Sequence, residues 1–230
     1  MPLLSLAKAY WDRDLPQIPA DVGLYRYHVS TISEYYSYVL DRLIGVEDAY
    51  FPFYAPLKTK EWPQEQKDAV VINRLFVDID VKDGDTFTSV LEKAKFFGTR
   101  FWNNVDMFFS AGKGFHFYIY ITPATYKELR EYRDELYWNL ATWLQYLHDK
   151  RVFISLDRIC RITLTKHSVD PEHPTPVRWK IPVDPTLSLQ EILRRSQYPE
   201  NYVNEFYQLY QRKPTPIDWK VFLKSPHELL

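Results

Sequence analysis

The feature that most constrains the fold is an apolar run from Val70 to Val81, which carries two acids near its end. A run so rich in β-branched residues is typical of a strand in the interior of a sheet. Asp78 and Asp80 stand two residues apart, so a strand places both carboxylates on one face. These like charges repel, and a divalent cation such as Mg²⁺ or Mn²⁺ would neutralise them. The run therefore predicts a metal site or, as the simpler interpretation, a strand end with solvated acids.

Composition excludes several classes of protein. Cys160 is the single cysteine of the 230 residues, so the chain has neither an internal disulfide nor a zinc site of the cysteine type. The longest uncharged stretch, Gly114 to Tyr126, is well short of the roughly 20 apolar residues of a membrane-spanning helix. Met1 to Ala7 lacks the basic lead of a secretory signal. We therefore expect a cytoplasmic protein without a membrane span.

The net charge is −1, from 29 basic and 30 acidic residues, so any contact with nucleic acid has to be local. Periodicity predicts an α+β fold in one domain, 1–230, with an N-terminal α/β lobe (1–68), a core (69–185) and a helical tail (186–230). Helices are expected at 32–43, 86–104 and 124–148, with a loop at Pro16 and Pro19 and tail helices broken at Pro199, Pro214 and Pro216. Strands are expected at 50–54, 70–81, 105–110, 115–121, 159–164 and 179–183.

A second segment, Ser110 to His116, places a glycine turn between two predicted strands, with a hydroxyl, a cation and an imidazole around it. Backbone N–H groups and Lys113 in such a turn can contact phosphate oxygens. The segment does not have the spacing of a Walker A loop. Taken alone, it is more typical of an ordinary hairpin turn with His116 half-buried on a strand.

A third segment, Ser155 to His167, has one acid, Asp157, followed by four basic groups within ten residues. It predicts a charged edge strand or, alternatively, a third metal ligand followed by a strip that binds a triphosphate, since phosphates prefer Arg and Lys donors. The third acid could also be Asp170 or Asp184. Both precede a proline, and Asp157 is preferred because it adjoins the strand that carries Arg161.

The order of these three segments resembles that of the archaeo-eukaryotic primase superfamily. Its motifs are a hydrophobic-Asp-hydrophobic-Asp strand, a Ser-Gly-x-Gly-x-His hairpin and a later Asp. The three blocks are similar here to residues 74–80, to 108–117, and to 161–167 with 181–184 downstream. The resemblance is closest to the small catalytic subunit of archaeal primases and to plasmid or viral primase-polymerases. It implies an RRM-like catalytic sheet with flanking helices, in the region 69–185.

The resemblance also implies roles for individual residues. Metal and catalytic roles, with two Mg²⁺ or Mn²⁺ ions, fall to Asp78, Asp80 and Asp157. Nucleotide binding falls to Ser110, Lys113, His116, Arg161 and His167. The implied activity is template-directed nucleotidyl transfer on single-stranded DNA from nucleoside triphosphates, with a primase large subunit or a helicase as candidate partners. Ala111 stands where the family has a glycine, and the family's zinc-binding knob cannot be built with one cysteine.

Two other interpretations remain open. Lys113 to Tyr120 fits most of the aromatic strand of an RNA-recognition module, although the acids at 78 and 80 would repel RNA there. A metal-dependent nuclease would share the acids but has no need of a triphosphate strip.

Overall fold

The structure is a computed structural model of the chain. It describes residues 2–14, 17–23, 25–44, 48–151, 153–167 and 178–226. The α-helices in this part of the chain are α1 (Leu3–Asp14), α2 (Ile32–Ile44), α3 (Gln64–Asp68), α4 (Phe87–Arg100), α5 (Tyr126–Glu131), α6 (Arg133–Leu144), α7 (Leu189–Gln197) and α8 (Val203–Gln211). The strands are β1 (Ala20–Val22), β2 (Tyr27–Val29), β3 (Tyr50–Pro52), β4 (Val71–Asp80), β5 (Val105–Phe109), β6 (Gly114–Thr125), β7 (Ile159–Arg161) and β8 (Ile181–Pro182). Two 3₁₀ helices, at Pro199–Tyr202 and Trp219–Leu223, complete the C-terminal part.

The centre of the fold is a four-stranded antiparallel sheet with the order β4-β6-β5-β8. Its two long strands are mostly buried in their middle, which explains why apolar residues predominate in β4 and β6. Helix α4 packs on one face, where the ring centroids of Phe97 and Phe117 lie 5.2 Å apart. Thr86 fixes the start of α4, since its side chain accepts a hydrogen bond from the Ser89 N–H.

The N-terminal lobe covers part of the other face. Strand β3 pairs with β7, and Tyr50 lies opposite Arg161. The Phe53 ring packs 4.9 Å from that of Tyr118, and the Tyr54 hydroxyl accepts a hydrogen bond from the Phe76 N–H at 2.8 Å. The pairing of β3 with β7 holds the strand that carries Arg161 beside β4, which carries the acid pair.

Most predicted elements are present. The mixed α+β class with antiparallel sheets is confirmed, as is a helix that begins at residue 32 and strands near 50, 71, 105, 115 and 159. The hairpin predicted between residues 105 and 121 is β5 paired with β6. No helix in the described part is long and apolar enough to cross a bilayer.

One prediction of secondary structure is wrong. The single helix expected at 124–148 begins as the end of β6 and is then divided into α5 and α6 at Tyr132. Gln145, with a φ of +52°, ends α6.

The sequence did not predict helix α1, which packs against α8 through a hydrogen bond from the Tyr10 hydroxyl to the Phe206 carbonyl. Of the predicted loop, Pro19 lies outside any helix or strand, and Pro16 lies outside the described residues.

Candidate active site

The acid pair lies at the end of β4, where the β4–β6 ladder fixes what faces it. Asp78 lies opposite His116, and Asp80 lies opposite Gly114. A Cβ at Gly114 would overlap the Ile79 carbonyl oxygen and an Asp80 carboxylate oxygen, so this position requires glycine. Glycine at 114 therefore lets β6 pack directly against the end of β4 that carries the carboxylates.

Seven of the eight predicted site residues line one pocket of about 340 Å³. These residues are Asp78, Asp80, Ser110, Lys113, His116, Arg161 and His167. The same pocket is lined by Tyr50 and Arg158, which the sequence did not single out. Acidic groups of β4 thus face cationic groups of the hairpin turn and of the segment that contains β7.

Asp78 is the more buried acid of the pair. Burial, reinforced by the neighbouring charge of Asp80, raises the pKa of Asp78, and the Arg158 guanidinium opposes this shift. Nη2 of Arg158 donates a hydrogen bond to Oδ2 of Asp78 at 3.0 Å. Oδ1 of Asp78 is buried, and no donor among the described residues hydrogen-bonds to it. A buried carboxylate oxygen without a partner is costly, so this atom is suited to a ligand or a cation.

The pKa of Asp80 is raised by burial and by Asp149, and the Lys113 charge opposes this shift. His116 shifts in the opposite direction. Burial, together with the charges of Lys180 and Arg158, lowers its pKa well below the ordinary value. The imidazole is therefore neutral at pH 7, and its Nε2 lies 3.5 Å from Oδ1 of Asp78.

Arg161 is held in place before any ligand binds. Its Nη2 donates to Oδ2 of Asp48 at 2.8 Å and to the Tyr50 hydroxyl at 3.2 Å, and its Nη1 donates to the Ser110 carbonyl. Asp48 and Tyr50 belong to the N-terminal lobe, so the β3–β7 pairing determines how this guanidinium faces the pocket. Such anchoring reduces the entropy lost when a phosphate binds.

The hairpin turn holds Ala111 in a backbone conformation that is unusual for a residue with a Cβ. Ala111 adopts a φ of +70°, a left-handed conformation that favours glycine. The Ser110 hydroxyl accepts a hydrogen bond from the Gly112 N–H at 3.4 Å, and His167 lies beside Gly112. Ser110 remains in the pocket despite the alanine at 111.

The structure does not bring Asp157 into this pocket. Asp157 lies in a turn closed by a hydrogen bond from the Arg158 N–H to the Ser155 carbonyl at 2.9 Å. The turn directs its carboxylate to the Thr59 N–H, which donates to Oδ1 at 2.8 Å. Of the two alternatives, Asp184 accepts hydrogen bonds from the backbone and side chain of Thr186 in its own turn, and Asp170 lies outside the described residues.

Asp149 is the acid that the sequence missed. Its backbone N–H donates to the Asp78 carbonyl at 2.9 Å, and its charge raises the pKa of both Asp78 and Asp80. Burial works against ionisation of Asp149, but hydrogen bonds from Arg151 outweigh it and lower its pKa. Asp149 follows α6, one residue beyond the region predicted to be one long helix, so no strand pattern pointed to it.

The donors fit a divalent cation that shares its coordination with a substrate. Among the described residues, no group of three or more His, Cys, Asp or Glu side chains is arranged to enclose a metal ion. Mg²⁺ commonly binds through one or two carboxylates and completes its shell with water and substrate phosphates. Asp78 and Asp80, with the unpartnered Oδ1 of Asp78, suit that mode of binding.

Comparisons with known proteins leave the chemistry of this pocket as the basis for a functional conclusion. No protein-family model matches the chain, and no curated protein matches it.

Proposed function

We propose that this chain is a primase-polymerase that transfers nucleotides to a growing strand on a single-stranded DNA template. The observation that carries the proposal is the division of one pocket into an acid pair, Asp78 and Asp80, and a facing group of cations from the hairpin turn and the segment around β7. A nucleoside triphosphate with bound divalent cations has the complementary distribution of charge. The four-stranded sheet with α4 and α6 is, on this proposal, an RRM-like catalytic sheet.

The side chains would divide the work as follows. Asp78 and Asp80 hold the cations. Asp149, whose backbone is hydrogen-bonded to Asp78 and whose charge raises the pKa of both acids, replaces Asp157 as the third carboxylate. Arg161 and Arg158 present guanidinium groups to the phosphates, and these match phosphate oxygens better than an ammonium does.

The cationic wall of the pocket also includes Lys113, and the imidazole of His167 lines the same pocket. Two divalent cations, when bound, would lower the pKa of the attacking 3′-OH and offset the charge on the pyrophosphate. The neutral imidazole of His116 can donate a hydrogen bond to a phosphate oxygen without adding positive charge beside Asp78. The cationic wall balances the phosphates, and the acids keep the cations at one end of the pocket.

An RNA-recognition module is the less supported candidate. Such a module needs aromatic rings on an open sheet face, on which bases can stack. The rings of Phe115, Phe117 and Tyr118 on β6 are all buried in the core. These three rings of the motif are therefore not available for stacking.

The test is a primer-synthesis assay on unprimed single-stranded DNA, with ribonucleotides and deoxynucleotides supplied in turn and with Mg²⁺ or Mn²⁺. Asp78→Asn and Asp80→Asn should each abolish product. Asp83→Asn is the matched control, because Asp83 is an exposed acid just beyond the same strand end. It should leave synthesis unchanged.

The same reactions report on the rival activities. A template that is shortened with no new strand made would indicate a nuclease and overturn the proposal. Normal synthesis by either Asp78→Asn or Asp80→Asn would remove the acid pair from the mechanism.

A further inference from the structure

A second cleft shares no lining residue with the active-site pocket and has a different chemistry. We call it the basic cleft, and it is lined by Arg13, Tyr120, Tyr210, Arg212 and Lys213. It encloses about 490 Å³, which is within the usual size of a ligand site. Its walls come from α1, β6 and the end of α8 with the segment that follows, so both ends of the chain contribute.

The basic cleft opens on the same face of the central sheet as the active-site pocket. Tyr120 follows His116 by four residues on β6, and an even spacing places both side chains on one face. At about 3.3 Å per residue, the two positions are roughly 13 Å apart along the strand. A few nucleotides of an extended strand cover this separation.

Positive charge exceeds negative charge in the basic cleft. Asp106 is buried, and its carboxylate is shared between Arg13 and Arg212, which donates to Oδ1 at 3.0 Å. Lys213 is exposed and forms no hydrogen bond or ion pair with the described residues. None of the described residues that line the cleft is acidic. The cleft is therefore lined by three cations, two of which share one buried carboxylate, in a chain whose net charge is −1.

Arg13 retains donors for a further anion. Both of its hydrogen bonds, to Asp106 and to the Tyr120 hydroxyl, use Nη2. Its guanidinium lies 5.7 Å from the ring centroid of Tyr210 and 5.9 Å from that of Tyr120. Half-buried tyrosine rings beside cations are the elements with which proteins bind single-stranded nucleic acid, because bases stack on the rings while the cations contact phosphates.

We propose that the basic cleft binds single-stranded nucleic acid through its phosphates and bases. Only the identification of that strand as template or product rests on the proposed function. The rings favour a nucleic acid over an acidic peptide, which would use the cations alone. The cleft gives the chain a local positive surface that its overall charge does not provide.

The test measures the binding of a fluorescently labelled ten-nucleotide DNA strand to the full chain by anisotropy, over a series of salt concentrations. Lys213→Glu should raise Kd by about tenfold and reduce the slope of log K against log salt by about 0.7 for each lost phosphate contact. Lys220→Glu is the matched control, because it makes the same change of charge at an exposed lysine of the same C-terminal segment outside the cleft. Tyr210→Leu should weaken binding of the strand and leave binding of inorganic polyphosphate unchanged.

The outcomes separate the cleft from the proposed function. Equal affinities of Lys213→Glu and Lys220→Glu for the strand would overturn the proposal that the basic cleft binds nucleic acid. The same conclusion would follow if an acidic peptide competed as well as unlabelled DNA of equal charge.

Loss of affinity in Lys213→Glu, combined with normal synthesis by Asp78→Asn, would support nucleic-acid binding by the cleft and reject the proposed polymerase activity. Unchanged strand affinity in Lys213→Glu, combined with inactive Asp78→Asn, would reject binding by the cleft and support the polymerase activity.

Discussion

The choice of the third carboxylate is decided by single side chains. Asp149→Ala should lower kcat/KM for nucleotide incorporation by about a hundredfold or more, since a charge that helps to hold a catalytic cation is worth several kcal/mol. The physical reason is its position beside Asp78 and the effect of its charge on both acids. Steady-state extension of a primed template measures this loss.

Asp157→Ala is the matched comparison for Asp149→Ala. The Asp157 carboxylate accepts a hydrogen bond from the Thr59 N–H, so Asp157→Ala should lose about 1 kcal/mol of stability and keep its activity within about threefold. An inactive Asp157→Ala beside an active Asp149→Ala would restore the assignment that the sequence motif suggests.

Arg158 is expected to contact the nucleotide as well as Asp78. Arg158→Gln removes a guanidinium that lines the pocket and lies 4.7 Å from the Phe76 ring centroid. Because a charged hydrogen bond is worth about 1.5–3 kcal/mol, the KM for nucleotide should rise by about tenfold or more. Lys166→Gln, which removes a cation from the same basic segment but outside the pocket, should leave KM unchanged. Equal values of KM for the two variants would exclude this role.

Sequence reasoning located the acid pair and the hairpin residues because a strand has a fixed period. Asp78 and Asp80 share a face for that reason, and an antiparallel neighbour brings His116 opposite. Asp149 could not be found in this way, because it lies in a segment between elements and approaches Asp78 only through tertiary packing. Asp157 lies outside the pocket because a turn, rather than an extended strand, directs its side chain.

At the level of elements, the hairpin between β5 and β6 stores backbone strain. Ala111 has a φ of +70°, which costs a residue with a Cβ about 1–2 kcal/mol. Ala111→Gly should relieve this cost and lose part of the gain to the greater entropy of the unfolded chain, for a net stabilisation of about 0.5–1 kcal/mol. The melting temperature should rise by about 1–4 °C in a chain of this size.

The same substitution at Ala69 provides the control for this prediction. Ala69 has a φ of −80°, so glycine there relieves no strain and should lower the melting temperature slightly. A fall in the melting temperature of Ala111→Gly would mean that the turn is not strained in solution.

The ends of the helices were the least predictable part of the secondary structure. Residues 124–148 have helical composition, yet Thr125 pairs with Val71 in the sheet and caps α5 through the Glu128 N–H. Pairing with β4 outweighs local propensity at this point. In α1, the apolar residues Leu6, Tyr10 and Trp11 follow a helical spacing, but the packing of this helix on α8 comes from residues about 190 positions away.

For the molecule as a whole, stability should depend on pH through the groups buried in the active site. Burial and the charge of Asp80 raise the pKa of Asp78 from its ordinary value of 3.8 to about 7. The folded chain therefore binds a proton there that the unfolded chain has released, so the contribution of Asp78 to stability is lost as the pH rises from about 4 to about 7. His116 and His148, whose pKa values burial lowers, act in the opposite direction below about pH 6.5.

A comparison of two proteins isolates the contribution of Asp78 from that of the histidines. Without divalent cations, Asp78→Asn should match the wild type near pH 4, where the wild-type carboxyl is protonated, and become progressively more stable than the wild type up to about pH 7. The difference should reach roughly 2–4 kcal/mol, because one unit of pKa corresponds to about 1.4 kcal/mol. Denaturant unfolding at a series of pH values measures it. If the difference between Asp78→Asn and the wild type is flat over this range, then Asp78 is ionised at no cost in the folded chain, and the pocket has no buried negative charge that a cation would stabilise.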